Sequence, residues 1–282
     1  MTNNCYSDWG SVPSGVPQGT KLGPWLFALM INDLKHGAPS FWKFVDDSTA
    51  SEIVPKGSVS HAQSIADDVN DWSKKNRVQL HPDKCKELRI SFTKQTPNFD
   101  PLVINNNEVD VVKSAKLLGV TISNDLTWNI HIDNIIKKVN KRIYFLIQLK
   151  RAKVSPKDLS LFYITCIRSV MDYGVVSFYN SLPNCLKNEF QRVEKRVISI
   201  IFPYNSYKIG LEKLVMSPIE LHHEELCKRF FQTIETNERH KLRNLLPNKN
   251  SCKYNLRSKH KYKVPLARTN RAKNSFILSL CT

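Results

Sequence analysis

The strongest constraint on the fold is a stripe of apolar residues that begins after Asn124. Apolar side chains recur there at intervals of three or four residues, at Trp128, Ile132, Ile135, Val139, Ile143 and Leu146. Residues three and four apart lie on one face of an α-helix, so the stripe predicts a long amphipathic helix that buries this face. Similar spacing predicts three more helices, in residues 155–170, 186–201 and 218–236. The first of these has a capping-box start at Ser155 with Asp158. Its predicted apolar face consists of Leu159, Phe162, Cys166 and Val170.

The first 124 residues carry a different pattern, in which short apolar runs alternate with turn-forming residues. Such alternation is typical of strands with one buried face. The pattern predicts strands in residues 41–45, 48–54, 78–80, 88–92 and 115–123, a hairpin in residues 102–112, and helices in residues 24–34 and 60–76. The predicted fold class is therefore α+β, with a mixed domain of residues 1–124, a helical domain of residues 125–240 and a basic tail of residues 241–282.

The distribution of charge bears on the choice of partners. The chain of 282 residues has 42 Lys and Arg against 25 Asp and Glu, a net charge of +17. Eleven of the basic residues and no acidic residue fall in residues 241–282, so much of the excess positive charge lies in the tail. Such an excess favours nucleic acid as a partner, with an anionic membrane surface as the second candidate.

Several features predict an intracellular protein, in the nucleus or the cytoplasm, that does not span a membrane. The seven cysteines are scattered and no two are spaced as CxxC, which argues against a disulfide framework and favours a reducing compartment. Apolar runs such as Trp25–Ile31 are much shorter than the roughly 20 residues that a membrane span needs. The first ten residues contain no apolar core of a signal peptide.

Asp46 and Asp47 form the first candidate site. They follow the apolar run Phe41–Val45, at the predicted turn of a hairpin. Neighbouring strand residues point to opposite faces, but at a turn both carboxylates can approach one cation, and Mg²⁺ prefers one or two carboxylates together with substrate phosphates. The alternative is a solvated turn, since Asp favours turns. The pair Asp67–Asp68, within a predicted helix, is interpreted in this second way.

A segment rich in glycine and proline, Ser11–Gly23, directly precedes the first predicted helix. Gly15 and Gly19 allow the backbone to come close to a ligand. Gln18 can both donate and accept hydrogen bonds, and the start of a helix favours anions. The alternative is a loop that only leads into a core helix.

Basic residues mark the outer face of the long helix, opposite its apolar stripe. These residues are Lys137, Lys138, Lys141 and Arg142. They suit contacts with a phosphate backbone, or they form an ordinary solvated helix face. In the tail, Tyr254 and Tyr262 alternate with basic residues, which suits single-stranded nucleic acid; a disordered basic end is the alternative.

Four segments, in this order, resemble the reverse transcriptases of non-LTR retrotransposons. Residues 14–34 resemble the block that contacts the nascent base pair, and "FVDD" at Phe44–Asp47 resembles the metal-binding block, with Val45 where alanine is commoner. The segment Trp72–Phe92 resembles the next block, although His81 stands where asparagine is commoner. The segment Lys116–Ser123 resembles the primer-grip strand, and the helices that follow resemble the thumb.

The resemblance implies a partial polymerase palm, made of an antiparallel sheet with helices, followed by an α-helical thumb and the basic tail. It implies RNA-directed DNA synthesis from deoxynucleotides with Mg²⁺, or alternatively Mn²⁺, on an RNA template and a DNA primer or an RNA–DNA hybrid. The roles it implies are metal binding and catalysis for Asp46 and Asp47, pyrophosphate departure for Lys84, contact with the nascent pair for Gly15, Pro17, Gln18 and Gly19, primer grip for Leu118 and Gly119, and nucleic-acid backbone contact for Lys137, Lys138, Lys141 and Arg142.

One departure from the family pattern limits the expected activity. The family's palm has a third carboxylate on an earlier strand, and only thirteen residues precede Ser14 in this chain. Asp8 lies too close to the loop to be that ligand. We therefore expect the fingers and the first catalytic Asp to be missing and the chain alone to be inactive. The alternatives are a noncatalytic nucleic-acid-binding remnant and a chain that does not fold stably.

Overall fold

The chain forms two compact units, Met1–Lys113 (unit 1) and Ser114–Thr282 (unit 2). The structure, a computed structural model, describes residues 10, 11, 15, 19–34, 40–93, 99–250 and 261–281. The division falls before residues 114–124, which the sequence analysis grouped with the first domain. These residues belong with unit 2 because the backbone N–H of Thr121 donates to Nδ1 of His131, 3.3 Å away, in the long helix.

Unit 1 consists of helices and short strand pairs. Its elements are α1 (Leu22–Ile31), β1 (Phe41–Phe44), β2 (Asp47–Ala50), α2 (Ala62–Lys75), a 3₁₀ turn (Pro82–Lys84), β3 (Lys86–Leu88), β4 (Val103–Ile104), β5 (Asn107–Glu108) and β6 (Asp110–Val112). β1 pairs with β2 and β4 with β5 in antiparallel register, whereas β3 and β6 are parallel. The described residues therefore form separate strand pairs and not the continuous antiparallel sheet that was expected.

Local sequence signals account for part of unit 1. The helices predicted in residues 24–34 and 60–76 are confirmed as α1 and α2. The predicted hairpin is confirmed as β4–β5, whose turn places Asn105 and Asn106 at φ 51° and 63°. Asparagine tolerates this left-handed conformation, which suits a two-residue hairpin turn. The strand predicted at residues 78–80 is absent, and β3 overlaps the predicted strand 88–92 only at Leu88.

Unit 2 begins with a hairpin and continues as helices. Its elements are β7 (Ser114–Leu117), β8 (Val120–Ser123), α3 (Asn129–Arg151), α4 (Pro156–Phe162), a π-helical segment (Tyr163–Arg168), α5 (Ser169–Asp172), 3₁₀ turns (Val175–Ser177 and Tyr179–Ser181), α6 (Asn184–Ile201), α7 (Tyr207–Leu214), α8 (Ile219–Thr236), a 3₁₀ turn (Lys241–Leu245), α9 (Asn270–Lys273) and α10 (Phe276–Cys281). The mixture of helix and strand confirms the α+β class.

The apolar stripe of α3 is buried in the core of unit 2. The stripe residues with little or no exposure are Ile132, Ile135, Val139, Ile143 and Leu146. They belong to one continuous cluster with buried residues of the later helices. This burial confirms both the predicted helix and its predicted buried face, and it makes α3 the central element of unit 2.

The second predicted helix contains a π-helical segment that changes its buried face. Its predicted start is confirmed, since Oγ of Ser155 accepts from the backbone N–H of Asp158 at 3.2 Å. The predicted apolar face was Leu159, Phe162, Cys166 and Val170, whereas the fully buried residues are Leu159, Tyr163, Ile167 and Met171. In a regular α-helix with 3.6 residues per turn, residues spaced by four gradually rotate away from one face. The wider turn of the π-helical segment compensates for this rotation and keeps these four residues on the buried face.

One carboxylate, Glu194 in α6, is fully buried in this core. It accepts hydrogen bonds from the hydroxyls of Tyr163 and Tyr207, at 3.2 and 2.5 Å, and from the backbone N–H of Ile219 at 3.0 Å. Nη1 of Arg168 lies 3.3 Å from the same carboxylate. Burial and the charge of Glu194 raise the pKa of Tyr163 above its usual range. These four partners stabilise a charge that would otherwise be costly to bury.

Part of the predicted basic tail is folded against α8. Tyr262 is 4% exposed and clusters with Phe231 and Cys281. Its hydroxyl donates to Oε1 of Glu235 at 2.6 Å, and Nζ of Lys261 lies 2.9 Å from the same atom. The buried ring of Tyr262 is therefore not free to stack on nucleic acid, contrary to its predicted role. Tyr254 and its basic neighbours lie outside the described residues.

One segment of unit 2, Pro156–Ser177, is long and apolar enough to cross a membrane by length and composition. Polar residues interrupt its apolar ones, so it contains no long uninterrupted apolar run. Its apolar face, including Leu159 and Ile167, is buried in the core, and Arg168 within it pairs with Glu194.

Candidate functional site

Asp46 and Asp47 lie at the tip of the β1–β2 hairpin. Phe44 pairs with Asp47 in the ladder, so the two-residue turn consists of Val45 and Asp46. The turn was predicted at the two aspartates, and it falls one residue earlier. Asp47 is already the first residue of β2, and both aspartates are exposed. The hairpin therefore presents one carboxylate from the turn and the next from the strand end.

The backbone at this hairpin tip is strained. Val45 has φ 55°, a left-handed conformation that is unfavourable for a β-branched residue. Strain of this kind costs on the order of 1–3 kcal/mol and is found preferentially at functional sites. The strained residue directly precedes the two carboxylates.

The carboxylates of Asp46 and Asp47 fit a divalent cation. Within the described ranges, neither forms an ion pair or a side-chain hydrogen bond, so their oxygens are available to a ligand. Two carboxylates with open positions suit Mg²⁺, which also takes substrate phosphate oxygens. No group of three or more His, Cys, Asp or Glu placed to hold a metal occurs in the described part of the chain. Asp46 and Asp47 therefore lie without a third His, Cys, Asp or Glu placed to share a metal ion in that part of the chain.

Lys43, in the middle of β1, fastens this hairpin to α1. Its Nζ donates to the carbonyl of Ile31 at 2.7 Å and to that of Leu34 at 2.9 Å. These carbonyls lie at and just beyond the C-terminal end of α1, where a cation is stabilised by unpaired carbonyls and the helix dipole. Sequence reasoning missed this role, although a lysine flanked by aromatic residues was a signal for it.

The loop before α1 has the predicted glycine conformations. Gly15 and Gly19 have φ 88° and 89°, and no atom of the described residues lies within 4 Å of where a Cβ would be at either position. Pro17 and Gln18, the other predicted nucleotide-contacting residues, lie outside the described residues.

Lys84 ends the 3₁₀ turn before β3 and is exposed. Its backbone N–H donates to the carbonyl of His81 at 3.0 Å, which sets the turn. Among the described contacts, none joins Lys84 to Asp46 or Asp47. The predicted role of Lys84 in pyrophosphate departure stays a prediction.

Leu118 and Gly119 form the turn of the β7–β8 hairpin. The sequence analysis placed them at the centre of a single strand, which was wrong. Leu118 has φ 45° and Gly119 has φ 87°, and Leu117 pairs with Val120 across the turn. The apolar residues around the turn resembled an uninterrupted strand, so the glycine was not recognised as a turn residue. The predicted primer-grip residues are thus at a hairpin tip.

A groove of about 470 Å³ lies beside this hairpin, within unit 2. We call it the basic groove. Its lining residues come from three segments: Lys116, Gly119 and Thr121; His131, Asn134, Ile135, Lys137, Lys138, Lys141 and Arg142; and Ser169, Val170 and Tyr173. The tertiary structure thus brings Gly119 and all four predicted backbone-contacting cations to one surface. Lys116 and Tyr173 were not predicted as members.

The basic groove is electropositive, since five of its lining residues are Lys or Arg and none is Asp or Glu. Lys137, Lys138 and Lys141 are exposed, whereas Arg142 is half-buried and its Nη1 donates to the carbonyl of Cys166 in the π-helical segment. Arg142 is therefore held in place by the protein. The four lysines of the groove, Lys116 included, are exposed and are the cations that remain free to follow a bound anion.

Tyr173 and Gly174 hold the hairpin tip tightly. The hydroxyl of Tyr173 donates to the carbonyl of Leu118 at 2.7 Å. A Cβ on Gly119 would lie 2.9 Å from Cε1 of Tyr173, and a Cβ on Gly174 would lie 3.1 Å from Cγ2 of Val120. Two glycines therefore permit a close approach that any side chain would disturb. The consequence is a defined position for the hairpin at the edge of the groove.

His131 supports the floor of the groove. It is 3% exposed, and its Nδ1 accepts the hydrogen bond from Thr121. Burial lowers the pKa of His131, and the nearby positive charge of Lys138 lowers it further. The neutral imidazole is therefore favoured, which is the form whose Nδ1 can accept a hydrogen bond from a backbone N–H.

Comparison with known protein families identifies two matching regions. Residues 4–122 match the family "Reverse transcriptase (RNA-dependent DNA polymerase)". Residues 128–169 match the family "Alkylated DNA repair protein alkB homolog 8, N-terminal". No solved structure matches the chain.

Curated relatives from fruit flies agree with the first match. The chain is 23% identical over 202 residues to a probable RNA-directed DNA polymerase from transposon X-element of Drosophila melanogaster, covering 68% of this chain and 22% of the relative. It is 26% identical over 136 residues to the RNA-directed DNA polymerase from mobile element jockey of the same species, covering 44% of this chain and 14% of the relative. The chain spans about a fifth or less of the length of these relatives.

Proposed function

We propose that the chain is part of a reverse transcriptase of the non-LTR retrotransposon type. The proposal is supported by the match of residues 4–122 to the reverse-transcriptase family and by the similarity to RNA-directed DNA polymerases of mobile elements. The chain is proposed to carry part of a polymerase palm in residues 1–124 and a thumb in residues 125–240. Its proposed substrates are an RNA template, a DNA primer or an RNA–DNA hybrid, and deoxynucleotides.

The observation that carries this proposal is the pair Asp46–Asp47 at a strained hairpin tip within the matched region. We assign these carboxylates to hold Mg²⁺, or alternatively Mn²⁺. Such an ion, when bound, stabilises charge on the attacking and leaving oxygens of a phosphoryl transfer. The Lys43 contacts to the end of α1 fasten the hairpin that carries the two carboxylates.

The remaining residues are assigned the roles that the resemblance to the family implies. Lys84 is assigned to neutralise the departing pyrophosphate, and the loop of Gly15, Pro17, Gln18 and Gly19 to contact the nascent pair. Leu118 and Gly119 are assigned to the primer strand. Lys137, Lys138, Lys141 and Arg142 are assigned to the phosphate backbone, supported by their convergence on the basic groove.

The metal-binding part is tested by titrating the full chain with Mn²⁺ and following the free ion by electron paramagnetic resonance. Asp46→Ala should weaken Mn²⁺ binding at least tenfold, because it removes one of the two proposed carboxylate ligands. Asp67→Ala, in the acidic pair of α2, is the matched control and should leave binding unchanged. Equal effects of the two substitutions would overturn the assignment of Asp46.

The catalytic part is tested by primer extension on an RNA template with Mg²⁺. Because the described residues supply only two acidic ligands, we expect little incorporation by this chain alone. Robust incorporation that is abolished by Asp46→Ala would show that the chain is active by itself. Robust incorporation that survives Asp46→Ala would contradict the proposed site.

A second candidate function is noncatalytic nucleic-acid binding, which the basic groove favours. Binding to phosphates releases counterions, so the logarithm of affinity falls with the logarithm of salt at about −0.9 per phosphate contact. Replacing Lys137, Lys138 and Lys141 by alanine should reduce this slope by about 2–3 for a DNA duplex or an RNA–DNA hybrid. Replacing Lys157, Lys208 and Lys228, exposed lysines outside the groove, is the charge-matched control. An equal loss in both triple variants would exclude the groove as the binding surface.

A further inference from the structure

Two rows of residues on the exposed side of α3 each run from cations to an aromatic ring. Lys137, Lys141 and Tyr144 form one row, spaced by four and three residues. The parallel row is Lys138, Arg142 and Phe145, with the same spacing. Residues at these intervals lie one above the other on a helix. The cations of both rows line the basic groove, so each row continues from the groove to a ring one turn further along α3.

The two rings are exposed although they are large and apolar. Tyr144 is 59% exposed and Phe145 is 57% exposed, in contrast to the buried apolar residues on the opposite side of the same helix. Their ring centroids are 5.7 Å apart with an interplanar angle of 73°. The rings support each other edge to face and still present more than half of their surface. Exposed neighbouring aromatic residues of this kind often mark a binding surface.

Charge and spacing point to nucleic acid as the occupant. The rings directly continue two rows of cations, and an acidic phosphate chain held by these cations would extend toward them. From Lys137 to Phe145, α3 rises about 12 Å at 1.5 Å per residue. That length corresponds to three or four base-pair steps of about 3.4 Å along the axis of a duplex. Aromatic rings beside a basic groove are the usual means of binding unpaired bases.

We propose that Tyr144 and Phe145 form a stacking surface for the unpaired bases of a single-stranded end whose phosphates lie in the basic groove. This proposal rests on the proposed function, since it requires that the groove bind nucleic acid. It adds a substrate class to that function: a junction between duplex and single strand, in place of a uniform duplex. A partner protein that covers the rings is the competing occupant, and the experiment separates the two.

The experiment measures the affinity of the full chain for two labelled RNA–DNA hybrids of equal duplex length, one blunt and one with an unpaired end of about four nucleotides. Double substitution Tyr144→Ala and Phe145→Ala should lower affinity for the hybrid with the unpaired end by roughly 5- to 100-fold, since stacking contributes about 1–3 kcal/mol per base. Affinity for the blunt hybrid should stay within about twofold. The salt slope should stay the same, because no cation is removed.

Conservative variants show whether stacking is the cause. Replacing both residues by tryptophan should keep the preference for the unpaired end, whereas replacing both by leucine should lose it, because leucine is apolar but cannot stack. Tyr204→Ala, which removes a ring that is 98% exposed elsewhere in unit 2, is the matched control and should change nothing. Retained preference in the leucine variant would overturn the proposal.

The remaining outcomes are also decisive. If the wild-type chain binds neither hybrid, the proposed function fails and the stacking proposal fails with it. If the wild type binds both hybrids with a steep salt slope and the alanine variant is unchanged, only the stacking proposal fails. A change of oligomeric state on alanine substitution, measured by light scattering, without a change in affinity, would assign the rings to a protein contact instead.

Discussion

Units 1 and 2 differ in how far their apolar residues are buried. In unit 2, one continuous core runs from Ile132 to Cys227 and includes fully buried aromatic side chains. In the described part of unit 1, the buried apolar residues are Leu34, Ile65 and Val109. Helix α1 of unit 1 has no buried residue, and Trp25 in it is 73% exposed. The same chain thus combines a well-packed helical unit with one held by few apolar contacts.

This difference bears on how each candidate site is held. The basic groove is built on α3, whose opposite face is fixed in the core, so the positions of its cations follow from packing. The carboxylate hairpin depends on local features: the two-residue turn and the contacts of Lys43 with the end of α1. Regions with few buried apolar contacts open most readily. We therefore expect the carboxylate site to be the more easily deformed of the two.

The largest expected difference in the free energy of unfolding is between breaking a buried ion pair in unit 2 and breaking an exposed one in unit 1. Glu194→Ala removes the partner of buried Arg168 and of two tyrosine hydroxyls. It should lower the free energy of unfolding by about 5 kcal/mol, at the upper end for a broken buried pair. Asp110→Ala removes the partner of Lys86 in unit 1, where both side chains are substantially exposed, and should cost below about 1 kcal/mol. Urea unfolding followed by far-UV circular dichroism measures both, and equal losses would contradict the comparison.

Core truncation should show the next largest difference. Phe190, 1% exposed in α6, should lose about 3–5 kcal/mol of stability on replacement by alanine, because a cavity is left in the core. Leu29 in α1 is 71% exposed, and its replacement by alanine should change the free energy of unfolding by less than about 0.5 kcal/mol. The same urea titration gives both values. A comparable loss for Leu29→Ala would show that α1 is packed against something in solution.

A smaller effect tests the contact that positions the β7–β8 hairpin. Gly119→Ala should destabilise the chain by about 1–3 kcal/mol, since φ 87° and the ring of Tyr173 both oppose a Cβ. In a Tyr173→Ala background the same substitution should cost about 1 kcal/mol less. The backbone strain enters both backgrounds and cancels in this double-mutant cycle, so a coupling near zero would exclude the proposed ring contact.

The smallest expected effect is a dependence of unit 2 stability on pH. Burial lowers the pKa of His223 from 6.5, although its hydrogen bond to Asp172 opposes the shift, and neighbouring His222 and Arg168 lower it further. The unfolded state therefore binds the proton more readily. Stability is full above about pH 6.5 and falls as the pH drops through the lower pKa of the folded state. Urea midpoints at about pH 7.5 and pH 5 should differ less in His223→Gln than in the wild type. If the urea midpoint shifted equally with pH in the wild type and in His223→Gln, His223 would not be the cause of the pH dependence. His131, whose pKa is also lowered by burial, would then be the next candidate.

Local signals in the sequence predicted several elements correctly. The stripe of α3, the N-terminal cap at Ser155 and the asparagine turn of β4–β5 each depend on residues within a few positions of one another. Such features are set by backbone geometry and side-chain spacing, which are visible in a short window. The candidate carboxylates were also found locally, as two neighbouring acids after an apolar run.

Predictions failed where distant residues change the local choice. The strand predicted around Leu118 is a hairpin whose tip is secured by Tyr173, far along the chain. The π-helical segment buries Tyr163 because it reaches Glu194 in α6. Tyr262, predicted to be available to nucleic acid, is buried against α8. In each case a contact between residues far apart in the sequence outweighed the local pattern. A short sequence window does not contain such contacts.

The sequence by itself determined the helical second half, the similarity of residues 4–122 to reverse transcriptases and the paired carboxylates, because periodicity and motif spacing are properties of neighbouring residues. Only the tertiary structure decided that cations of α3, the β7–β8 hairpin and Tyr173 share one groove and that Tyr144 and Phe145 stay outside the core. The physical reason is that the core forms from the apolar faces of the helices, and this packing brings the groove residues on the outer faces together. That packing depends on the shapes of all of the segments together.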